Sequence, residues 1–416
     1  MGSKLSDFSS VARGLVLRNR ARIFPDIRGS IEVTDVELGR RKFIRDDRYH
    51  CRLTVHYRAD GSTKSLQMWL KFRPQLHTLL PILDACHERL NGPVFPRAYF
   101  AWCAQDENSA VLATAYVQGT TLRSRLLMLA AFRQTSRLLP IFRSSGAKMR
   151  RFHDAFRSTD SLGVAPLIDS TTDFVRQTKY FSAAEKASVR AHLDRYAHIL
   201  AVRTLPTVQV HNDWILRNIM VAADGTDYVV DCDSMRSGPD LRWLDVAYFL
   251  LNMDSQLKWH PLVTTEILAE LSREFWYGYA DEHLPDSLTQ EQVIAILYIL
   301  RLRCLLGGTT PPPYFQLMGG SFDRRVLRRL KESVVSGRAT LFDLWKYDVT
   351  ELPADGGAIS TARQPSTLCT LPNRKAHRST SPCAIATSAG SPSRASRWRL
   401  ASNRRRGTAL ILATSL

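Results

Sequence analysis

No apolar run in this chain approaches 18 residues, so the sequence offers no stretch long enough to cross a bilayer as a helix. Its first residues hold no apolar signal-peptide core, and no secretory leader is expected. Cysteine is scarce and scattered: seven in 416 residues, an odd number, with no CxxC pair. That usage argues against a disulfide framework and against a thiolate zinc cage, and it fits a reducing compartment. A cytoplasmic location is the expectation. GxxxxGK[ST], GxSxG and HExxH are all missing, which removes a P-loop, a hydrolase nucleophile elbow and a zincin helix from consideration. The last 61 residues contain no Asp or Glu at all.

That last absence governs how the net charge of +18 is read. Residues 1–120 carry +6, residues 121–355 carry +2 and residues 356–416 carry +10. More than half of the excess therefore sits at the C-terminal end, and the body is only mildly basic. A chain-wide basic charge would suggest nucleic acid, but a basic tail is not a docking face, so no specific nucleic-acid partner is expected. From 351 onward Ser, Thr, Ala, Pro and Arg dominate without periodicity. Those residues are expected to form a disordered basic tail, 351–416, whose composition also fits translation in a shifted frame.

The rest reads as two lobes. Residues 31–73 are strand-rich, with two extended runs around the turn Ala59-Asp60-Gly61. Residues 75–91 show apolar positions at helical spacing, Leu79, Leu80, Leu83, Cys86 and Leu90. Two more strands follow in 93–117. Beyond "QGTTL" the chain reads as helical to about 200, returns to short strands over 208–233, and is largely helical again over 243–302. "DRRVLRRLKESVV" is a last amphipathic helix. The expected class is α+β: a β-rich N-lobe over 1–116, a hinge at 117–122, a mainly helical C-lobe over 123–350, then the tail.

"VQVHNDWILRNIMV", 208–221, sets a polar run between apolar segments. Taken alone, it is a loop between buried strands. With "YVVDCD" after it, it offers more. Phosphoryl transfer asks a protein for a carboxylate to orient the acceptor hydroxyl, oxygen ligands for magnesium, and a cation on the phosphates. Asp213, Asn218 five residues later and Asp231 thirteen beyond that supply oxygens of the right kind in order.

His211-x-Asp213-x4-Asn218 followed by Asp231 resembles the aminoglycoside phosphotransferase/choline kinase-like branch of the protein-kinase-like superfamily. Further stretches resemble it too: "AYVQG" its hinge, "MRRFHDA" the helix before its catalytic loop, "SGPDLRWLDVAYFL" its Asp-Leu-Ala segment with Asp245 in the Asp place, and "FWYGYA" a late helix. The resemblance covers roughly residues 30–340 and is strongest over 208–250. It implies a bilobal kinase-like fold, ATP or GTP as phosphate donor, and Mg2+. Asp213 is then the catalytic carboxylate, Asn218 and Asp231 bind metal, with Asp233 as a weaker helper, and His211 and Asp245 support the catalytic loop.

In the N-lobe, Lys71 of "MWLKF" is the expected lysine on the α/β-phosphates, with Glu88 as its acidic partner and Asp84 as the rival. The family's glycine-rich loop is nearly absent. Only Gly39 remains, and a variant cover from Gly39, Arg40, Arg41 and Lys42 is weighed against a plain solvated turn. Between 121 and 151 lie eight basic residues and no acid. They read either as solvated helix faces or as a site for an anionic or saccharide acceptor. Asp281, Glu282, Asp286 and Glu291 pull the other way, toward a cationic one such as an antibiotic. The reading is a small-molecule kinase acting on a hydroxyl of a sugar, amino alcohol or antibiotic. A protein kinase fits less well, since "DCD" replaces DFG and no Ala-Pro-Glu segment follows. A degenerate kinase-like scaffold that binds a partner or an anionic surface is the other alternative.

Overall fold

Alternation writes the N-terminal sheet. In "LQMWLKF" Met68, Leu70 and Phe72 fall on one face and Trp69 and Lys71 on the other, as a strand's period of two requires. The first set is buried; the second is half-buried. The computed structural model describes residues 8–344 apart from 28–29, 40–41, 46–47, 104–109, 201–203, 282, 307–322 and 343. The expected basic tail lies outside the described residues.

Two helices, α1 (Phe8–Arg18) and α2 (Arg20–Ile23), precede the strands β1 (Glu32–Leu38), β2 (Lys42–Arg45), β3 (Arg48–Ala59) and β4 (Ser62–Phe72). Helix α3 (Leu79–Arg89) and strands β5 (Ala98–Cys103) and β6 (Ala110–Ala115) complete the N-lobe. The sheet order is β1-β3-β4-β6-β5, with β2 pairing β3 as well. One face is sealed by α1 and α2: Phe8 meets Phe72 edge-on at 5.0 Å and Phe24 lies 4.5 Å from Tyr57. These two helices had no forecast in the sequence reading. Their burial partners are strand residues far along the chain, which a local pattern does not reveal. The other face looks toward the C-lobe. There Leu112 joins the large core with Leu79, Leu83 and Cys86 of α3.

The C-lobe runs β7 (Gly119–Thr121), α4 (Leu122–Ala131), α5 (Leu139–Ala155), β8 (Arg157–Gly163), α6 (Val164–Gln177), α7 (Ala183–Ile199), β9 (Thr204–Gln209), β10 (Ile219–Ala222), β11 (Asp227–Val229), β12 (Pro239–Leu241), α8 (Trp243–Ser255), α9 (Thr265–Ala280), α10 (Gln290–Leu306) and α11 (Asp323–Val335). Together these make the expected α+β arrangement of two lobes, a β-rich N-lobe and a mainly helical C-lobe. Helix α7 opens on a capping box: the Ser182 hydroxyl accepts from Glu185 N while the Glu185 carboxylate accepts from Ser182 N. Helix α10 is apolar nearly all round and accordingly buried. Strand β8 corrects the expectation of unbroken helix: "RSTDSLG" lacks apolar alternation, is mostly exposed, and is strand only because β9 pairs with it. Among the described residues no helix is long and apolar enough to cross a membrane.

Helices α5 and α9 cross with backbone nearly touching backbone. A Cβ on Gly146 would collide with Phe275 O, and one on Gly278 with Arg143 O. Only glycine fits at such a crossing. Gly278→Ala is expected to destabilise the chain by about 3 kcal/mol, the upper end of ordinary overpacking, because the obstacle is main chain and cannot rotate away. Calorimetric unfolding checks this; an unchanged melting temperature would contradict it. The crossing bears on function, because α5 carries His153 and α9 carries Tyr279.

Candidate active site

Strand β9 ends at Gln209 and delivers His211, Asn212 and Asp213 to the cleft. Asn212 takes φ 60°, a left-handed conformation that Asn tolerates better than most residues. Asp245, fully buried in the first turn of α8, pins the bend. Its Oδ2 accepts from His211 N at 2.7 Å and its Oδ1 from Asn212 N at 2.7 Å. His153 Nε2 lies 3.1 Å from Oδ2, and His153 Nδ1 lies 3.0 Å from the Tyr279 hydroxyl. Burial works against a charged Asp245, yet the His153 ring and the bonds from His211 hold its pKa below the ordinary range. His153 is lowered by its burial, so the pair rests as carboxylate and neutral imidazole. His211 is buried, stacks parallel to Phe95 at 5.9 Å, and is pushed down to about 4 by burial.

Asp213 sits where three influences meet. Burial pushes its pKa up to about 6, against the opposing pull of Arg217 and of a bond from Asn218. Asn218 Nδ2 donates to Asp213 Oδ2 at 2.7 Å and to Asp213 O at 2.9 Å, closing the loop on itself. Asp213 Oδ1 is buried with no hydrogen-bond partner among the described residues. A buried lone acceptor is costly unless something else uses it, and it points to a function.

Antiparallel β10 and β11 carry the chain from Asn218 to Asp231. Val230 N donates to Asn218 O at 2.7 Å, which ties the two segments together. Asp231 is left-handed, φ 65° and ψ 52°. Across the cleft Lys71 Nζ donates to Asp231 Oδ1 at 2.8 Å and to Asp233 Oδ1 at 3.4 Å. Arg73, two residues along the same strand face, reaches Asp233 Oδ2 at 3.0 Å. Burial opposes the Lys71 charge, but Asp231 and Asp233 outweigh it and raise its pKa above the usual lysine value. Lys71, Asp213, Asn218 and Asp231, spread over 160 positions of sequence, thus come together at one end of the cleft.

The donor atoms suit a hard cation. One Asp231 oxygen is on Lys71 and the carboxylate is half-exposed; Asn218 bonds Asp213 through its side-chain Nδ2, which leaves its side-chain oxygen Oδ1 to face a cation. The described residues hold no group of three or more His, Cys, Asp or Glu arranged as a metal cage. Such a donor set fits magnesium that arrives with phosphates and keeps its waters rather than a metal held by protein alone.

In sequence, residues 39–283 match the phosphotransferase enzyme family, APH, which is more than half of the chain. The chain belongs to that family. No curated protein matches it in sequence. Solved structures similar to it include a thermostable mutant of aminoglycoside phosphotransferase APH(4)-Ia in ternary complex with ADP and hygromycin B. That one is 13% identical, with 79% of this chain and 98% of that chain covered and a TM-score of 0.43. ADP-bound APH(2'')-Ib is 11% identical, covering 78% and 98%, with a TM-score of 0.37. Plasmodium vivax ethanolamine kinase is 11% identical, covering 72% and 81%, with a TM-score of 0.39.

Within this family member, neither acidic residue expected beside Lys71 meets it. Glu88 is exposed on α3 and does not meet Lys71, whose carboxylate partners are Asp231 and Asp233. Asp84, the rival, is held by a two-pronged ion pair from Arg22, which also donates to Ala98 O. The N-terminal helices therefore engage the face of α3 that the sequence reading offered to Lys71. Gly39 is not at a hairpin tip. It lies in the edge ladder, donating to Arg52 O at 2.7 Å, where the pairing passes from Leu38↔Leu53 to Lys42↔His50. Arg41, like 46–47, lies outside the described residues.

The basic stretch 121–151 is largely engaged in internal contacts. Lys148 is buried on Asp227 at 2.6 Å, Arg143 pairs with Glu274 at 3.2 Å and Arg150 with Asp154 at 2.6 Å. Arg151 reaches Asn91 O, and Arg123 lies 5.1 Å over Trp259. Of the acidic cluster, Asp286 faces Arg242 at 3.2 Å in a buried pair, and Glu282 lies outside the described residues. Arg73 was absent from the forecast; its spacing of two from Lys71 on a strand was the available signal.

Proposed function

We propose that this chain transfers the γ-phosphate of ATP, or of GTP, to a hydroxyl of a small molecule, with Mg2+ as cofactor. The observation that carries this is the buried, unpartnered Oδ1 of Asp213 on a loop closed by Asn218. Asp213, with a pKa near 6, is ionised at neutral pH and still basic enough to orient and accept the proton of an acceptor hydroxyl. Asn218 and Asp231 are the residues to hold magnesium, which when bound neutralises charge on the phosphates. Lys71 positions the α/β-phosphates once it parts from Asp231, and Arg73 holds Asp233. His211 and Asp245 keep the loop in shape. Residues 117–122 serve as the hinge. Five of the eight bases of 121–151, Arg123, Arg143, Lys148, Arg150 and Arg151, have internal partners, which weakens the case for an anionic acceptor, and sugars, amino alcohols and antibiotics remain the acceptors to screen.

The test is titration calorimetry of ATP and of GTP, each with and without magnesium, alongside Asp231→Ala. Magnesium-dependent binding to the parent chain, weakened at least tenfold in the variant, is the expected result. Lack of binding for both nucleotides would favour the scaffold reading. That reading has its own support: Lys71 is closed onto two carboxylates, and the sequence between β1 and β3 keeps only Gly39.

A further inference from the structure

Apart from the catalytic loop, a cavity of about 620 Å³ opens against the connector between the lobes. None of Lys71, Asp213, Asn218 or Asp231 lines it. Its walls come from the last turn of α3, the segment leading into β5, residues 115–118 and the turn between β10 and β11. That volume is within the range of small-molecule sites.

The lining has a definite chemistry. Phe95, Tyr116 and Tyr228 supply aromatic surface. Arg97 and His87 supply nitrogen donors, and neither has a hydrogen-bond or ion-pair partner among the described residues. The backbone of Arg97 is fixed, because its carbonyl accepts from Ala115 N at 2.8 Å. The one carboxylate in the lining, Asp224, already accepts from Thr226 N at 2.9 Å within its own turn. A half-buried guanidinium without an anion, set among flat apolar walls, is a receptor for a planar group that carries negative charge.

We propose that this cavity is a second ligand site, for a small planar aromatic acid, with Arg97 as its anchor and His87 as a further donor. The aromatic rings take the ligand's face, and the guanidinium takes the carboxylate. Phe95 links this site to the first: it lines the cavity and stacks on His211.

Titration of naphthalene-2-carboxylate into the full chain tests this, with naphthalene-2-carboxamide as the uncharged control. Saturable binding of one acid per chain is expected, with the amide at least tenfold weaker. Arg97→Gln should weaken the acid at least tenfold. Ala223→Trp, an exposed position on the rim, should abolish binding while leaving the melting temperature unchanged. Saturating AMP-PNP with magnesium should not displace the acid. Absence of saturable binding, equal affinity in Arg97→Gln, or displacement by AMP-PNP would each overturn the proposal. The nucleotide's own heat is recorded in the same series. A chain that takes the acid but no nucleotide would count against the phosphotransferase reading and leave this site standing.

Discussion

Asp213→Asn is expected to lower kcat by about 10²–10⁴-fold, the usual contribution of a positioned base, while nucleotide affinity stays within about threefold of the parent. The variant keeps the shape of the loop. Its amide oxygen still accepts from Asn218 Nδ2, as Asp213 Oδ2 does now at 2.7 Å. What it loses is the ability to take a proton. The same substitution should make the chain more stable. The folded-state pKa of Asp213 is raised to about 6, so between the ordinary carboxylate value and 6 the folded protein binds more protons than the unfolded one. Stability from this group is therefore greatest at low pH and falls as pH rises through that window. At pH 7 the ionised carboxylate costs about 2–3 kcal/mol, which Asp213→Asn removes. Gain of stability with loss of turnover is the signature of a group placed for chemistry rather than folding. In the parent, kcat/KM should fall about tenfold per pH unit below 6. Unchanged turnover in the variant, or a pH profile flat through 6, would remove Asp213 from the mechanism.

The residues that could be read from the sequence were those whose partners are close in the chain. Asp213 and Asn218 are five apart and share one loop, and Asp231 follows through a single hairpin, so spacing alone placed them together. Lys71 was legible because it lies in the expected strand before the expected helix, and strand alternation then sets it opposite Met68, Leu70 and Phe72. The failures are long-range. Whether Glu88 could reach Lys71 depended on how α3 is seated, and Arg22, 62 positions before Asp84, has its hand in that. Gly39 was assigned to a phosphate cover because it is the lone glycine in its stretch. Pairing, which composition does not reveal, sets its backbone N against Arg52 O of β3. The basic run 121–151 looked like one patch in one dimension. In three dimensions Lys148, Arg143 and Arg150 point to three different carboxylates. Charge counting cannot make that separation.

Asp245→Ala is expected to destabilise the chain by about 3–5 kcal/mol, because it strands three buried donors at roughly 1–3 kcal/mol each. Two main-chain donors, His211 N and Asn212 N, and the His153 ring all converge on this one carboxylate. In the variant they remain buried with nothing to accept from them, and the left-handed Asn212 loses what holds it there. Stability should respond to acid in a related way. Asp245 has a depressed folded-state pKa, so its contribution is complete above the ordinary carboxylate value and is lost as pH falls through the folded one. His211 acts sooner. Its folded pKa near 4 lies below the unfolded value, so the unfolded chain takes up a proton that the folded one refuses. Stability therefore falls by about 3 kcal/mol as pH drops from 6.5 to 4, opposite in sign to the Asp213 effect. Urea unfolding midpoints of the parent, Asp245→Ala and Asp213→Asn at pH 4.5 and 7 separate the three groups. Asp245→Ala should unfold earliest at both values, and Asp213→Asn should gain on the parent by about 3 kcal/mol at the higher one and only about 1 kcal/mol at the lower. A midpoint for Asp245→Ala equal to the parent's would mean that the catalytic loop holds its bend without the carboxylate, and the support role given to Asp245 would fall with it.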